Sequence, residues 1–524
     1  MKKIIALLLS VIMILGLAAC GSDAPASSDG QGAEAAETQA SAGEEVVFNY
    51  SVVFEETNWD PAFWTQPDDT GLGAMVYETL FEYTMDGDVK PQLAKGYEVS
   101  DDGLTYTITL RDDVEWQKGY GKFTSADVKF TIERHGDPAL ASVNATNINL
   151  ENIDSIECPD DYTVVIKLKA IDVDLITRLS MFYSNIMCKA YNDKEGMAAL
   201  NASPVGTGAF EFDNGTLAVR TEAVANKNWW GDREGGNIDR IVCNYIADEN
   251  TGYTAFENGE LDVYKSSNID KTKELTGNGF VQQSIPDLNL LYIGVNMSLA
   301  PFDNEKVREA LFCAIDPQYY VDNMFYGTET IADSYIPSGC KYYAGGCFKP
   351  CYDPEKAKAL LAEAGYPDGV DIELWGGNDA LGSAPTVIAG DMLAKAGFNV
   401  KLQIVDFGIY ITKVRAGEIP AWCFFNDSAN IGDDTISRYK SEFYPGNNWS
   451  GVCDAEYDKY VDAGFAAKTE DEKRENFAKA QQRLMDLKVV YPVTTKSEQL
   501  LFQPSIKGYK SYGDRAFRAT TIIK

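Results

Sequence analysis

After residue 45 the chain interleaves two apolar rhythms, and that interleaving limits the folds open to it more than any other feature. Leu104, Tyr106, Ile108 and Leu110 alternate with Thr105, Thr107 and Thr109, the period of a strand buried on one face. Val164, Ile166 and Leu168 repeat it. Helical spacing occurs elsewhere. Asp303 can cap a helix that carries Val307, Ala310, Leu311 and Ala314 on one side, and Asp316-Pro317 starts a second that ends near Gly327. Asp353-Pro354 opens a third, with Leu360 and Leu361 on its buried face and Gly365 as its left-handed stop. Interleaved elements of both kinds predict α/β or α+β layers, not an all-α or all-β fold. No fixed-period repeat is present. At ~150 residues per domain, 524 residues suggest roughly three domains.

The first residues read differently. Lys2 and Lys3 precede an apolar run from Ile4 to Ala19, broken by Ser10 and Gly16, which is short for a spanning helix of ~20 residues and has the form of a secretion signal. It ends in Leu17-Ala18-Ala19-Cys20-Gly21, which resembles the lipobox of bacterial lipoproteins. Cys20 is therefore the expected lipidation site, and two acyl chains there would hold the protein on the outer side of the cell membrane. Residues 1–19 are read as the signal peptide. Residues 20–45 are almost entirely Ala, Glu, Ser, Gly, Asp and Gln, cannot offset their ordering entropy by burial, and are read as a flexible tether. No other stretch is apolar enough to span a bilayer.

Charge and reactive residues narrow the function. With 46 basic against 79 acidic side chains, the formal charge of −33 argues against nucleic acid as a partner, because phosphate binding needs clustered Lys and Arg. The one histidine, His135, follows Ile132-Glu133-Arg134 and precedes Gly136 at an expected helix end, where a surface or capping role is the plain reading. Cysteines other than Cys20 number nine: Cys158, Cys188, Cys243, Cys313, Cys340, Cys347, Cys351, Cys423 and Cys453. An odd count cannot pair completely. Cys340, Cys347 and Cys351 fit no zinc knuckle spacing, so a local disulfide or buried thiols are expected there, and no metal site. Gly71-Leu72-Gly73 and Gly206-Thr207-Gly208 lack the third glycine of a dinucleotide fingerprint, and neither a P-loop nor a nucleophile elbow occurs. No cofactor is expected, and no catalysis.

Several motifs occur in a fixed order: Val76-Tyr77-Glu78-Thr79-Leu80-Phe81-Glu82, Pro91-Gln92-Leu93-Ala94, Ser100 to Arg111, Phe123 to Val128, Pro204 to Phe210, Phe256 to Asp262, and Pro301 to Leu311 followed by Ala314-Ile315-Asp316. Read together, residues 46 to 524 resemble the peptide/nickel class (family 5) of extracellular solute-binding proteins, the receptors of bacterial ABC importers. One departure is Trp116-Gln117-Lys118-Gly119, where relatives often carry Trp-His-Asp-Gly.

The resemblance implies a two-lobed, periplasmic-binding-protein-like α/β fold, with an inserted accessory domain and a ligand cleft between the lobes. Lobe I is expected at residues 46–80, 176–290 and 485–524, the accessory domain at 81–175, and lobe II at 291–484. The crossings near Leu290 and Leu484 would act as a hinge. In peptide-binding relatives a cleft strand of lobe II offers main-chain hydrogen bonds, and an aspartate after an aromatic stretch receives the ligand's ammonium. The matching stretch is Ala421-Trp422-Cys423-Phe424-Phe425-Asn426-Asp427, so that role passes to Asp427, with Asn426 beside it. A turn is the competing reading of Asp427, since turn formers follow it. Trp422, Phe424, Phe425 and Trp449 are candidate pocket walls in lobe II and Trp59 in lobe I, although core packing would explain some of them equally well. The expected protein is a monomeric, membrane-anchored receptor that passes short peptides to an ABC permease. Oligosaccharide, nickel-chelate or haem cargo is the alternative within the family, and a secreted hydrolase the alternative outside it.

Overall fold

A computed structural model describes residues 45–53, 58–428 and 430–524. The signal run, Cys20 and all of the tether but Glu45 lie outside the described residues.

The apolar cores divide the folded part. One large core begins at Phe48 and Tyr50, includes the alternating Tyr106, Ile108, Val164 and Ile166, and takes in Ile285, Leu500, Phe502 and Ile522. The other large core runs from Leu288 to Val493, and a small third one groups Tyr253, Phe256, Tyr264, Leu275 and Leu501. The protein is thus a two-lobed α/β fold, and two strands pass between the lobes: Val281–Val295 and Val490–Phe502. They pair antiparallel along most of their length. Each changes core partway, between Ile285 and Leu288 and between Val493 and Leu500.

These crossing strands sit inside one seven-stranded sheet, in the order Val263–Ser266, Val490–Phe502, Val281–Val295, Ala421–Asp427, Val370–Gly377 and Phe398–Val405, with Thr330–Ile331 added to Val490–Phe502. The first lobe also holds a four-stranded sheet in which Val47–Val52 runs parallel to Arg240–Tyr245. A separate antiparallel sheet orders Ala94–Val99, Thr105–Leu110, Thr163–Leu168 and Ile153–Asp160, with the helix Ser125–Arg134 against it.

Local chemistry explains several boundaries. Asp316 and Asp353 accept from main-chain N–H groups at the starts of their helices, and Gly365 holds a φ of 95° after the helix Pro354–Glu363. At the helix Glu305–Ala314 the cap is Asn304, not Asp303, because the Asn304 side chain accepts from Lys306 N. His135 lies at a helix end as expected, but it is not exposed: it is 3% exposed, Nδ1 pairs with Ser142 Oγ at 2.7 Å, and burial together with Arg134 pulls its pKa down to about 4. Cys351 comes within 3.4 Å of Cys313 Sγ, so its near partner is not Cys340 or Cys347.

The recurrent motifs have structural work to do. A Cβ on Gly206 would stand 1.8 Å from Val76 O and one on Gly208 2.3 Å from Met75 O, so only glycine lets this loop lie flush on the chain at 75–77. Gln117, in the departing tetrapeptide, ties down the same loop: its amide donates to Gly208 O at 3.1 Å and Phe210 O at 2.8 Å and accepts from Gly206 N at 3.1 Å. Glu78 accepts from the indoles of Trp229 and Trp230 at 3.0 and 2.8 Å.

Candidate functional site

A cavity of about 1260 Å³ opens between the lobes. Its floor is an irregularity in the crossing strands. Pro286 pairs with Ser497 and Leu290 with Thr495, so Asp287, Leu288 and Asn289 together oppose Lys496. A bulge of this kind turns side chains out of the regular alternation. All four of those residues line the cavity.

Ion pairs organise the walls. Lys265 Nζ donates to Asp68 and to Glu498, both at 2.7 Å; burial alone would lower its pKa, but the two carboxylates hold it above the usual range. Arg178, from the first lobe, pairs with Asp172 at 3.2 Å and reaches Asp433 of the second lobe at 3.0 Å. Behind it, Asp174 of the first lobe is fully buried among second-lobe groups. Its carboxylate accepts from Lys341 at 2.9 Å, Lys473 at 2.5 Å and Tyr342 at 2.7 Å. Burial pushes this carboxyl up, but the two ammonium groups outweigh it and hold it well below the usual carboxylate range. Asp287 accepts from Arg515 and from Leu288 N.

The strand Ala421–Asp427 contributes through Phe425, which lines the cavity and meets Phe325 edge-on at 6.2 Å. Asn289 pairs with Asp427, the last residue of the strand; the Asp427 side chain lies outside the described residues. Ser428, next along, lines the cavity. On the strand's other edge, Val370–Gly377 pairs only with Ala421 and Trp422, so no strand covers 424–427 there among the described residues.

The remaining expected site residues face elsewhere. Trp422 is 1% exposed in the second lobe's core, and Trp449 stands edge-on to it at 6.4 Å and to Phe424 at 5.2 Å. Phe424 stacks on Phe407. Asn426 is buried, donating to Ser428 Oγ and accepting from Arg438 at 2.6 Å. Trp59 is buried in the first lobe against Phe212 at 5.3 Å. None of these five lines the cavity, although Thr65 to Asp68, shortly after Trp59, do. Strand parity explains most of the difference: Trp422, Phe424 and Asn426 alternate with Phe425, so they occupy the opposite face. The charged lining of Arg178, Lys265, Glu329, Lys473 and Lys496 was not anticipated, and only tertiary placement separates these residues from ordinary surface charges.

Similarity to known proteins bears on the family and the fold. The family model for the middle region of the bacterial extracellular solute-binding proteins, family 5, matches residues 88–446. Heme-binding protein A of Haemophilus influenzae is 28% identical, with 97% of each chain covered. Di/tripeptide-binding protein 1 of Pseudomonas aeruginosa is 30% identical, over 86% of this chain and 88% of that protein. Among solved structures, HbpA2 from Haemophilus parasuis superposes with a TM-score of 0.82 at 25% identity, covering 91% of this chain and 99% of that one.

Proposed function

The chain belongs to family 5 of the bacterial extracellular solute-binding proteins, and from that premise we propose that it captures short peptides between its lobes and hands them to an ABC permease. The observation that carries this reading is the cavity itself. It is somewhat larger than the ~300–1,000 Å³ common for small-ligand sites, and an uncovered strand edge lies at 424–427 beside it. An extended peptide can add to such an edge through its main chain while its side chains vary, which suits a receptor for many sequences. The 30% identity to a di/tripeptide-binding protein supports the same cargo.

We keep Asp427 as the partner of the peptide ammonium, because it follows cavity-lining Phe425 and precedes cavity-lining Ser428. Isothermal titration with mixed di- and tripeptides should give saturable one-to-one binding with the peptide recovered intact. Asp427→Ala should weaken it at least tenfold by leaving the ammonium unpaired. Heat from oligosaccharides alone, or turnover of the peptide, would overturn this reading.

Haem or a metal chelate is the second reading, favoured by the heme-binding relative. Such cargo would bring its own metal coordination, since His135 does not line the cavity. Native mass spectrometry of the purified protein separates the cargoes by the mass retained. Export, lipidation at Cys20, anchoring to the outer side of the membrane and action as a monomer complete the proposal. Among the described residues no helix is long and apolar enough to cross a membrane.

A further inference from the structure

Every wall of the cavity carries charge, and most of its carboxylates are already answered. Lys265 holds Asp68 and Glu498, Arg178 holds Asp172 and Asp433, and Arg515 holds Asp287. Glu329 is different. It lines the cavity and is 8% exposed, and its Oε2 is buried without a hydrogen-bond partner. It immediately precedes the short strand Thr330–Ile331, whose pairing with Thr495 and Thr494 places Glu329 beside the bulge at Asp287 and Lys496. The hydroxyl that faces it, Thr494 Oγ1, is buried and otherwise unpartnered too, but a neutral donor does not balance an ionised carboxylate, and the missing counter-charge at a site open to the cavity is most simply the cargo's.

We propose that Glu329 is a specificity-determining residue, and that the cargo presents a basic group to it, an ammonium or a guanidinium. This rests on the peptide reading above, with the basic group being a Lys or Arg side chain of the captured peptide. A cation is favoured over a neutral donor because the cavity is lined by eight carboxylates and five cationic side chains. The groups that face Glu329 are Thr494, Lys496 and Asp287, and burial outweighs the first two, raising its carboxyl to about 7. An arriving cation would therefore stabilise the ionised form and expel a proton from the fraction that carries one.

The experiment titrates the folded chain with Lys-Ala-Ala, Ala-Lys-Ala and Ala-Ala-Lys, and with the same three peptides carrying norleucine in place of lysine. At pH 7.5 at least one lysine peptide should bind about tenfold tighter than its norleucine counterpart. Its binding should release protons, read as a dependence of the heat on the buffer's ionisation enthalpy. The preference should shrink as pH falls from 8 to 5, a wild-type measurement that needs no variant. In Glu329→Gln the lysine and norleucine peptides should bind alike. Equal affinities in the wild type, or a preference that survives in the variant, would overturn the role of Glu329 while bound norleucine peptides left the receptor reading standing. Failure of all six to bind would overturn both.

Discussion

The lobes meet at the crossing strands and again at Asp174, and the two contacts differ in kind. At the strands, backbone pairs with backbone over a long antiparallel register, and side chains mostly fill the two cores on either side. At Asp174 one side chain reaches across to Lys341, Lys473 and Tyr342, with Arg178 and Asp433 alongside. Backbone pairing tolerates side-chain change. A buried ion cluster does not, because each charge left behind keeps its desolvation cost without its partner.

The sharpest way to break the comparison is Asp174→Ala, which strands two buried ammonium groups. It should lower unfolding free energy by about 3–5 kcal/mol in denaturant titrations, and adding Lys341→Met and Lys473→Met should restore much of the loss. A small loss would mean the cluster is not what fixes this side. Because the Asp174 carboxyl sits below its unfolded value, its stabilisation is complete above the ordinary carboxylate range and disappears only as pH falls through the depressed folded value. Glu329, beside the strands, has the opposite sign. Its folded pKa of about 7 lies above the unfolded value, so it costs stability as pH rises from about 4.5 to 7. Glu329→Gln should therefore stabilise the protein by about 3 kcal/mol at pH 8 and hardly at pH 4.5, seen in paired thermal melts. Arg178→Met removes the bridge between Asp172 and Asp433 but leaves the Asp174 cluster whole, and should cost about 1–2 kcal/mol. Ser284→Ala deletes only a 2.7 Å hydrogen bond to Gln499 between the crossing strands, and should cost under about 1 kcal/mol.

The same division governs what the sequence makes legible. The strands around Tyr106 and Val164 follow from period-two alternation, and the helix starts at Asp316 and Asp353 from a capping side chain followed by proline, because these signals are local. The cavity is not local. Asp172, Glu329 and Lys496 stand far apart in the chain, Glu329 and Lys496 between threonines and serine and Asp172 between Ile171 and Val173, and nothing in these local settings brings the three to one cavity. Aromatic residues mislead for a related reason: Trp422 and Trp449 are large and apolar enough to wall a pocket, but the same qualities make them core. The parity of the strand Ala421–Asp427, which sends Phe425 one way and Trp422 and Phe424 the other, was a readable signal that both faces could not serve one cavity.

The bulge at Asp287–Asn289 and the Asp174 cluster each join one lobe to the other, and the cavity wall includes residues of both regions, Lys496 near one and Lys473 in the other. Cargo seated against both lysines would touch the backbone join and the ionic join at once, so its charge would be felt by the two contacts together.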